Sequence, residues 1–204
     1  VHVISDLDAG GAEVMLAKLA GGMDGALFSN TVVSLTDEGQ LGERIKSSGV
    51  PVYTLGMKRG QPDVSALPKL IRLLRTLRPT ILQSWLYHAD LLSTLVVKLA
   101  GSPILLWNVR CSDMDLTHYS ALTRWTQKVL SWCSRVPAVV IVNSEAGNDS
   151  MSGWGTVLGS GQSSPMDLIP SSFVLTRAHD YHSDGNGKSR MMRLLLHLLP
   201  VLIR

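Results

Sequence analysis

Cysteine is nearly absent from this chain of 204 residues: Cys111 and Cys133 are the two it has. They show no metal-ligand spacing, so nothing points to a disulfide framework or a structural zinc site. No signal peptide precedes them, and a reducing, cytoplasmic setting is expected. Charge is also sparse. Nineteen Lys and Arg stand against 16 Asp and Glu, a formal +3, which gives a nucleic-acid partner no special support. Long apolar runs are missing as well. The longest, "MMRLLLHLLPVLI", is broken by Arg193, His197 and Pro200 and falls short of the roughly 18 residues of a membrane span. Two motifs are absent with consequences for chemistry. Without G-x-G-x-x-G a nicotinamide-dependent enzyme is disfavoured, and without a G-x-S-x-G elbow so is a hydrolase.

What is present is a 45% hydrophobic chain, enough to bury a substantial core. Short apolar runs recur at Val1–Ile4, Thr31–Leu35, Val52–Leu55, Thr80–Gln83, Ile104–Trp107 and Ala138–Val142. Each is too short for a helix, and near-continuous apolar strands are those of a parallel sheet buried on both faces. Helical patterns fill the gaps at Ala12–Gly22, Leu41–Ser48, Ser65–Leu77, Ala89–Ala100 and His118–Ser134. In the third, Leu67, Leu70, Ile71, Leu74 and Leu77 make one face and Lys69, Arg72 and Arg75 the opposite arc. In the last, Trp125, Val129, Trp132 and Cys133 read as a buried face. Strand and helix alternating in this way predict an α/β, Rossmann-like, mainly parallel sheet flanked by helices. Residues 1–150 are expected to hold that domain. Residues 151–204 read as a Gly/Ser-rich connection, "SMSGWGTVLGSGQSSP", and a basic tail whose Lys188–Arg204 segment has the composition of a surface-seeking helix interrupted at Pro200.

In an open parallel sheet the ligand crevice lies beyond the carboxyl ends of the strands. The loops at that edge are rich in polar groups: Ser5 and Asp6 in "SDLDAGGAE", His88 and Asp90 in "SWLYHAD", Asn108, Arg110, Ser112 and Asp113 in "NVRCSDMD", Asn143 and Ser144 in "NSEAGND". Gly10 and Gly11 sit at a strand-to-helix turn, where they would let backbone amides approach a phosphate or sugar closely. A plain tight turn would use them equally well. His88 has two readings, a hydrogen-bond partner or base for a hydroxyl and a helix cap. Arg110 and Asp113 pair a cation with a carboxylate, suited to an anionic ligand or to each other. Asp37 reads as a solvated loop carboxylate and Glu13 as support for a helix start. Trp85 and Trp107 fit either the strand ends or an aromatic wall beside a sugar.

Taken together, "HVISDLDAGGAEVMLAKL", "VVSLTDEGQLGERIKSSGVPVYTLGMKRGQPD", "PTILQSWLYHADLL", "LLWNVRCSDMDL" and "VVIVNSEAG" resemble the N-terminal domain of the group-one, family-four glycosyltransferases of the GT-B fold. The resemblance runs from Val1 to about Gly147 and thins to "DLIPSSF", where "IPSS" replaces the family's "IPNG". It implies two Rossmann-like domains facing across a cleft, the first holding the acceptor and the second a UDP- or GDP-linked sugar. Hexosyl transfer to a glycan or lipid-linked acceptor, with retention of configuration, is the implied reaction. Gly10 and Gly11 would then be donor-proximal, and His88, Asn108, Arg110 and Asp113 would line the acceptor side. The catalytic base is left unassigned, because "NVRCSD" carries no histidine. No cofactor beyond the nucleotide sugar as substrate, and no divalent metal, is expected.

Only 31 residues follow Phe173 and the last glutamate is Glu145, so the donor-binding half with its paired glutamates is not in this sequence. The start, in a strand and without an initiator methionine, reads as clipped. The expectation is an incomplete transferase, inactive alone and needing a separate donor-binding domain, placed in the cytoplasm with peripheral contact at the inner face of the membrane. The alternative is a non-catalytic module binding a glycan, a membrane or a partner chain through Lys58, Arg59, Arg72 and Arg75.

Overall fold

The computed structural model describes residues 1–61, 63–109, 121–142 and 174–177. Its order is β1 (His2–Ile4), α1 (Gly11–Gly22), β2 (Val32–Ser34), α2 (Gly42–Ser47), β3 (Val52–Thr54), α3 (Ala66–Leu77), β4 (Ile81–Trp85), α4 (Tyr87–Val96), β5 (Ile104–Val109), α5 (Ala121–Cys133), β6 (Val139–Val142) and β7 (Val174–Arg177). Every expected strand and helix is found, with ends shifted by a few residues, most at the C-terminus of α4. β7 is the addition. Val174 to Arg177 lie beyond position 150, where no period had marked an element, and they pair antiparallel with β6.

The strand order is β3-β2-β1-β4-β5-β6-β7, and the first six run parallel. The order reverses between β1 and β4, so right-handed crossovers send α1 and α2 to one face and α3, α4 and α5 to the other. Two cores follow. On one side Leu16 and Leu19 of α1 and Ile45 of α2 pack with Ile4, Val32 and Trp85. On the other Leu70 and Leu74 of α3, Ala89 and Val96 of α4 and Leu130 of α5 pack with Val3, Val33, Leu82, Leu105, Trp107 and Val140. Adjacent strand residues point to opposite faces, so Trp85 and Trp107, both fully buried, fill different cores. Neither forms an aromatic wall at the strand ends.

α3 shows why its sequence is helical there. Pro68 sits in the first turn, where no intrahelical donor is lost, and Leu70 and Leu74 carry the buried stripe. The helix stops at Arg78, left-handed at φ 46° and ψ 54°, ahead of Pro79. The face expected for α5 is corrected. Trp125 and Trp132 are 60% and 75% exposed, and Val129 and Cys133 only partly buried. The inward residues are Thr126, Leu130 and Ser134, spaced i, i+4, i+8. Small polar side chains flank Leu130 on the inward face, a placement that hydrophobicity along the helix does not reveal.

Candidate functional site

Ile4 and Trp85 are register partners at the ends of β1 and β4, so the loops leaving these two strands start side by side at the point where the strand order reverses. That is where a doubly wound sheet opens its crevice. The first loop carries Ser5 to Gly10 into α1; the second is a single residue, Leu86, before α4 begins at Tyr87.

Leu86 has φ 71° and ψ 152°, a region that glycine normally occupies. Holding a leucine there costs about 1–3 kcal/mol, a strain that collects at functional turns. The sharp turn puts His88 in the first helical turn with its ring reaching solvent beside the crevice. Desolvation by the surrounding chain still lowers the His88 pKa, so the imidazole is neutral at neutral pH.

The β1–α1 loop is braced from below by the loop after β2. The Leu41 amide donates to the Leu7 carbonyl at 2.9 Å, and the Thr36 hydroxyl to the Ser5 carbonyl at 3.3 Å. Gly39, at φ +50°, packs so tightly under this loop that a Cβ would fall on the Leu7 carbonyl and 2.7 Å from the Asp8 amide nitrogen. The two signature glycines differ from it. Gly10, the N-cap of α1, has φ −122° and ψ 171°, which any residue adopts. Glu13 lies over it, where a Cβ would meet its carboxylate. A Cβ on Gly11 would meet nothing within 4 Å. Neither backbone conformation nor packing therefore demands Gly11, and its bareness leaves the helix N-terminus open.

Four charged groups ring that opening. Arg59, from the loop after β3, bridges Asp6 at 3.0 Å and Asp8 in a shorter contact. The Asp8 amide donates to Asp6 Oδ1 at 3.2 Å. Glu13 is 7% exposed, and burial, with the negative charges of Asp6 and Asp8, raises its pKa; its own amide and Arg59 oppose the rise. Asp6 and Asp8 have Asp-x-Asp spacing, as do Asp113 and Asp115, a pattern the expectation of no metal passed over. Among the described residues no three His, Cys, Asp or Glu side chains gather as a metal site.

The other sequence candidates scatter. Asp90 is wholly enclosed, not on the polar edge: it bonds Ser84 in the core. Asn108, one place before the end of β5, is also fully enclosed. Arg110, Ser112, Asp113, Asn143 and Ser144 lie outside the described residues. Asp37 turns its carboxylate onto the Gly39 amide at 3.1 Å, an Asx turn. The basic arc divides. Arg59 joins the crevice, while the Arg75 guanidinium donates to the Leu99 carbonyl at 2.8 Å on the far side of the sheet. Asp8 and Gly39 were not foreseen, since their contacts join loops that are distant in sequence.

The doubly wound Rossmann-like sheet, with a bare helix N-terminus and a strained turn at its switch point, matches one half of a GT-B fold. The chain belongs to Glycosyltransferase Family 4, whose sequence model matches residues 9–157. Two solved structures of Alr3699/HepE from Anabaena share the fold. The complex with UDP superposes at a TM-score of 0.59 with 17% identity, over 76% of this chain and 40% of that one. The complex with UDP and glucose gives a TM-score of 0.58, again with 17% identity and the same shares. This chain thus spans about 40% of the HepE chain. No curated protein sequence matches it significantly. No helix among the described residues is long and apolar enough to cross a membrane.

Proposed function

We propose that this chain is the acceptor-side half of a retaining glycosyltransferase that moves a hexosyl group from a UDP- or GDP-sugar to a hydroxyl of a glycan or lipid-linked acceptor. The observation that carries the reading is the open N-terminus of α1 at the switch point, bare at Gly11, in a family-four chain. HepE, of the same fold, binds UDP and glucose.

Helix N-terminal amides at Gly11 and Ala12 favour negative charge, while Asp6, Asp8 and Glu13 are well suited to accept hydrogen bonds from sugar hydroxyls. Arg59 offsets part of the carboxylate charge and keeps the opening from repelling a phosphate. His88, neutral at neutral pH, offers a ring nitrogen to an acceptor hydroxyl, with Arg110 and Asp113 as further acceptor-side candidates from the sequence; Asn108, fully enclosed, has no open surface for an acceptor. The nucleotide-binding half is supplied by a second domain, in a longer protein or a partner chain. A lipid-linked acceptor places the enzyme at the inner face of a membrane as a peripheral protein.

The test is transfer from a panel of UDP- and GDP-sugars, by this chain alone and with a chain supplying the second domain. Activity that appears only with the second domain, and falls for Gly11→Ala, supports the reading. Equal silence in both arms, with glycan binding intact, makes the chain a binding module instead.

A further inference from the structure

Trp125 and Trp132 are the largest side chains that the described fold leaves exposed, at 60% and 75%. They stand seven residues apart on α5, two turns or about 10 Å along its axis. Lys128 lies between them and Arg135 just past the helix end, both exposed. At 3.6 residues per turn, positions 125, 128 and 132 share an arc of about 60°, and Arg135 follows just past the helix end. Beside them on α4 and the turn after it, Leu95 and Leu99 are 53% and 56% exposed, with Lys98 exposed between. Arg72, Arg75 and Arg78 continue the surface on α3.

Among the described residues of these elements no exposed carboxylate answers the cations. Over residues 66–109 and 121–142 the one acidic residue is Asp90, which is fully buried. The opposite face is mixed in sign: Glu38 and Lys46 pair at 2.5 Å, and Glu43 stands beside Arg44 on α2. A dry protein partner is a poor match for the α5 stripe, because it would bury Lys128 between two indoles, and interface cores are depleted in lysine. A lipid–water interface suits every member. Indoles rest at the headgroup level with the N–H still wet, leucines reach the acyl boundary, and Lys and Arg meet phosphates.

We propose that the outward face of α5, with the adjoining end of α4, docks this protein on an anionic phospholipid bilayer. The assignment rests on the peripheral-membrane reading above and gives that contact to the folded domain, not to the Lys188–Arg204 tail.

Flotation with phosphatidylglycerol vesicles, against phosphatidylcholine vesicles, tests it. The unaltered chain should float with the anionic vesicles and be released by salt. Trp125→Ser with Trp132→Ser should cut partitioning at least 10-fold, and Lys128→Gln with Arg135→Gln should cut it and flatten the salt dependence. All four side chains are exposed, so thermal melts should stay unchanged. Undiminished flotation of both double variants overturns the surface assignment and leaves the peripheral reading standing. No flotation of the unaltered chain overturns the peripheral reading too. Self-association in solution that the tryptophan pair abolishes, without vesicle binding, makes the face a contact between two copies and overturns the proposal. Transfer to a soluble acceptor should be untouched throughout, which separates this outcome from any failure of the transferase reading.

Discussion

Ser84 and Asp90 hold each other inside the core, Oγ to Oδ1 at 2.5 Å, with the same hydroxyl 3.3 Å from the Leu106 carbonyl. The Ser84 hydroxyl donates to the Asp90 carboxyl at the shorter distance and leans toward the Leu106 carbonyl in a longer, three-centred arrangement. Burial raises the Asp90 pKa well above the carboxylate range, and the Ser84 hydrogen bond only partly opposes it. The bonding continues within the core, since the Thr94 hydroxyl donates to the Asp90 main-chain carbonyl at 2.6 Å and the Trp107 indole to Thr94 at 3.2 Å.

The sign of the pH effect follows. A carboxyl whose pKa is higher folded than unfolded contributes its stability fully below the unfolded value of about 3.9, and loses it as pH climbs toward the folded value. Asp90→Asn, neutral at every pH, should therefore gain on the unaltered chain as pH rises through that window. Urea denaturation at several pH values reads the difference, and a relative loss by Asp90→Asn as pH rises would contradict the raised Asp90 pKa. Asp90→Ala should cost about 1–3 kcal/mol, because Ser84 loses its partner.

Gly11 and Gly39 should separate function from stability. Gly11→Ala enters open space on a helix and should leave the stability equal or up to about 1 kcal/mol higher, while, on the proposed function, weakening nucleotide-sugar binding once a second domain is supplied. Gly39→Ala places a Cβ on the Leu7–Asp8 backbone at positive φ and should cost at least about 1–2 kcal/mol. Thermal melts and ligand titration of the two variants decide the matter; equal behaviour would refute the distinction.

Arg59 is more than half exposed, so its ion pairs with Asp6 and Asp8 contribute little to folding, under about 1 kcal/mol. Arg59→Ala should thus melt almost unchanged. On the proposed function it should nevertheless weaken anionic donor binding about 10-fold, because the Asp6 and Asp8 carboxylates would then face the phosphate unopposed. A loss of stability with affinity intact would mean that Arg59 is a structural clamp.

Arg78 ends α3 in a left-handed conformation that costs a non-glycine residue about 1–2 kcal/mol. Its amide makes the helix-closing bond to the Leu74 carbonyl at 2.8 Å, which any residue but proline supplies. Arg78→Gly should therefore stabilise by about 0.5–1 kcal/mol, the gain being trimmed by the greater freedom of glycine in the unfolded chain. A melting point raised by about 1–4 °C is the expected reading.

Local pattern was enough for the first six strands and the five helices. Short runs rich in Val, Ile and Leu match the parallel strands, and the Leu70–Leu74 stripe matches α3, because burial of one face imposes its period on the chain. The Gly10–Gly11 turn at the head of α1 was equally readable, since adjacent glycines after a short strand are a local signal. Beyond that, long-range packing took over. Whether Trp125 and Trp132 face the sheet or the solvent depends on the packing of α5, which turns Thr126, Leu130 and Ser134 inward. Whether Asp90 is a surface ligand or a buried core group depends on Ser84 and Leu106, which come from neighbouring strands. Arg59 meets Asp8 across 51 residues of sequence, and Gly39 supports Leu7 across 32, by loops that converge only when β1, β2 and β3 pair. Hydrophobic period is written residue by residue along a chain; contacts between loops are set by the sheet that gathers them.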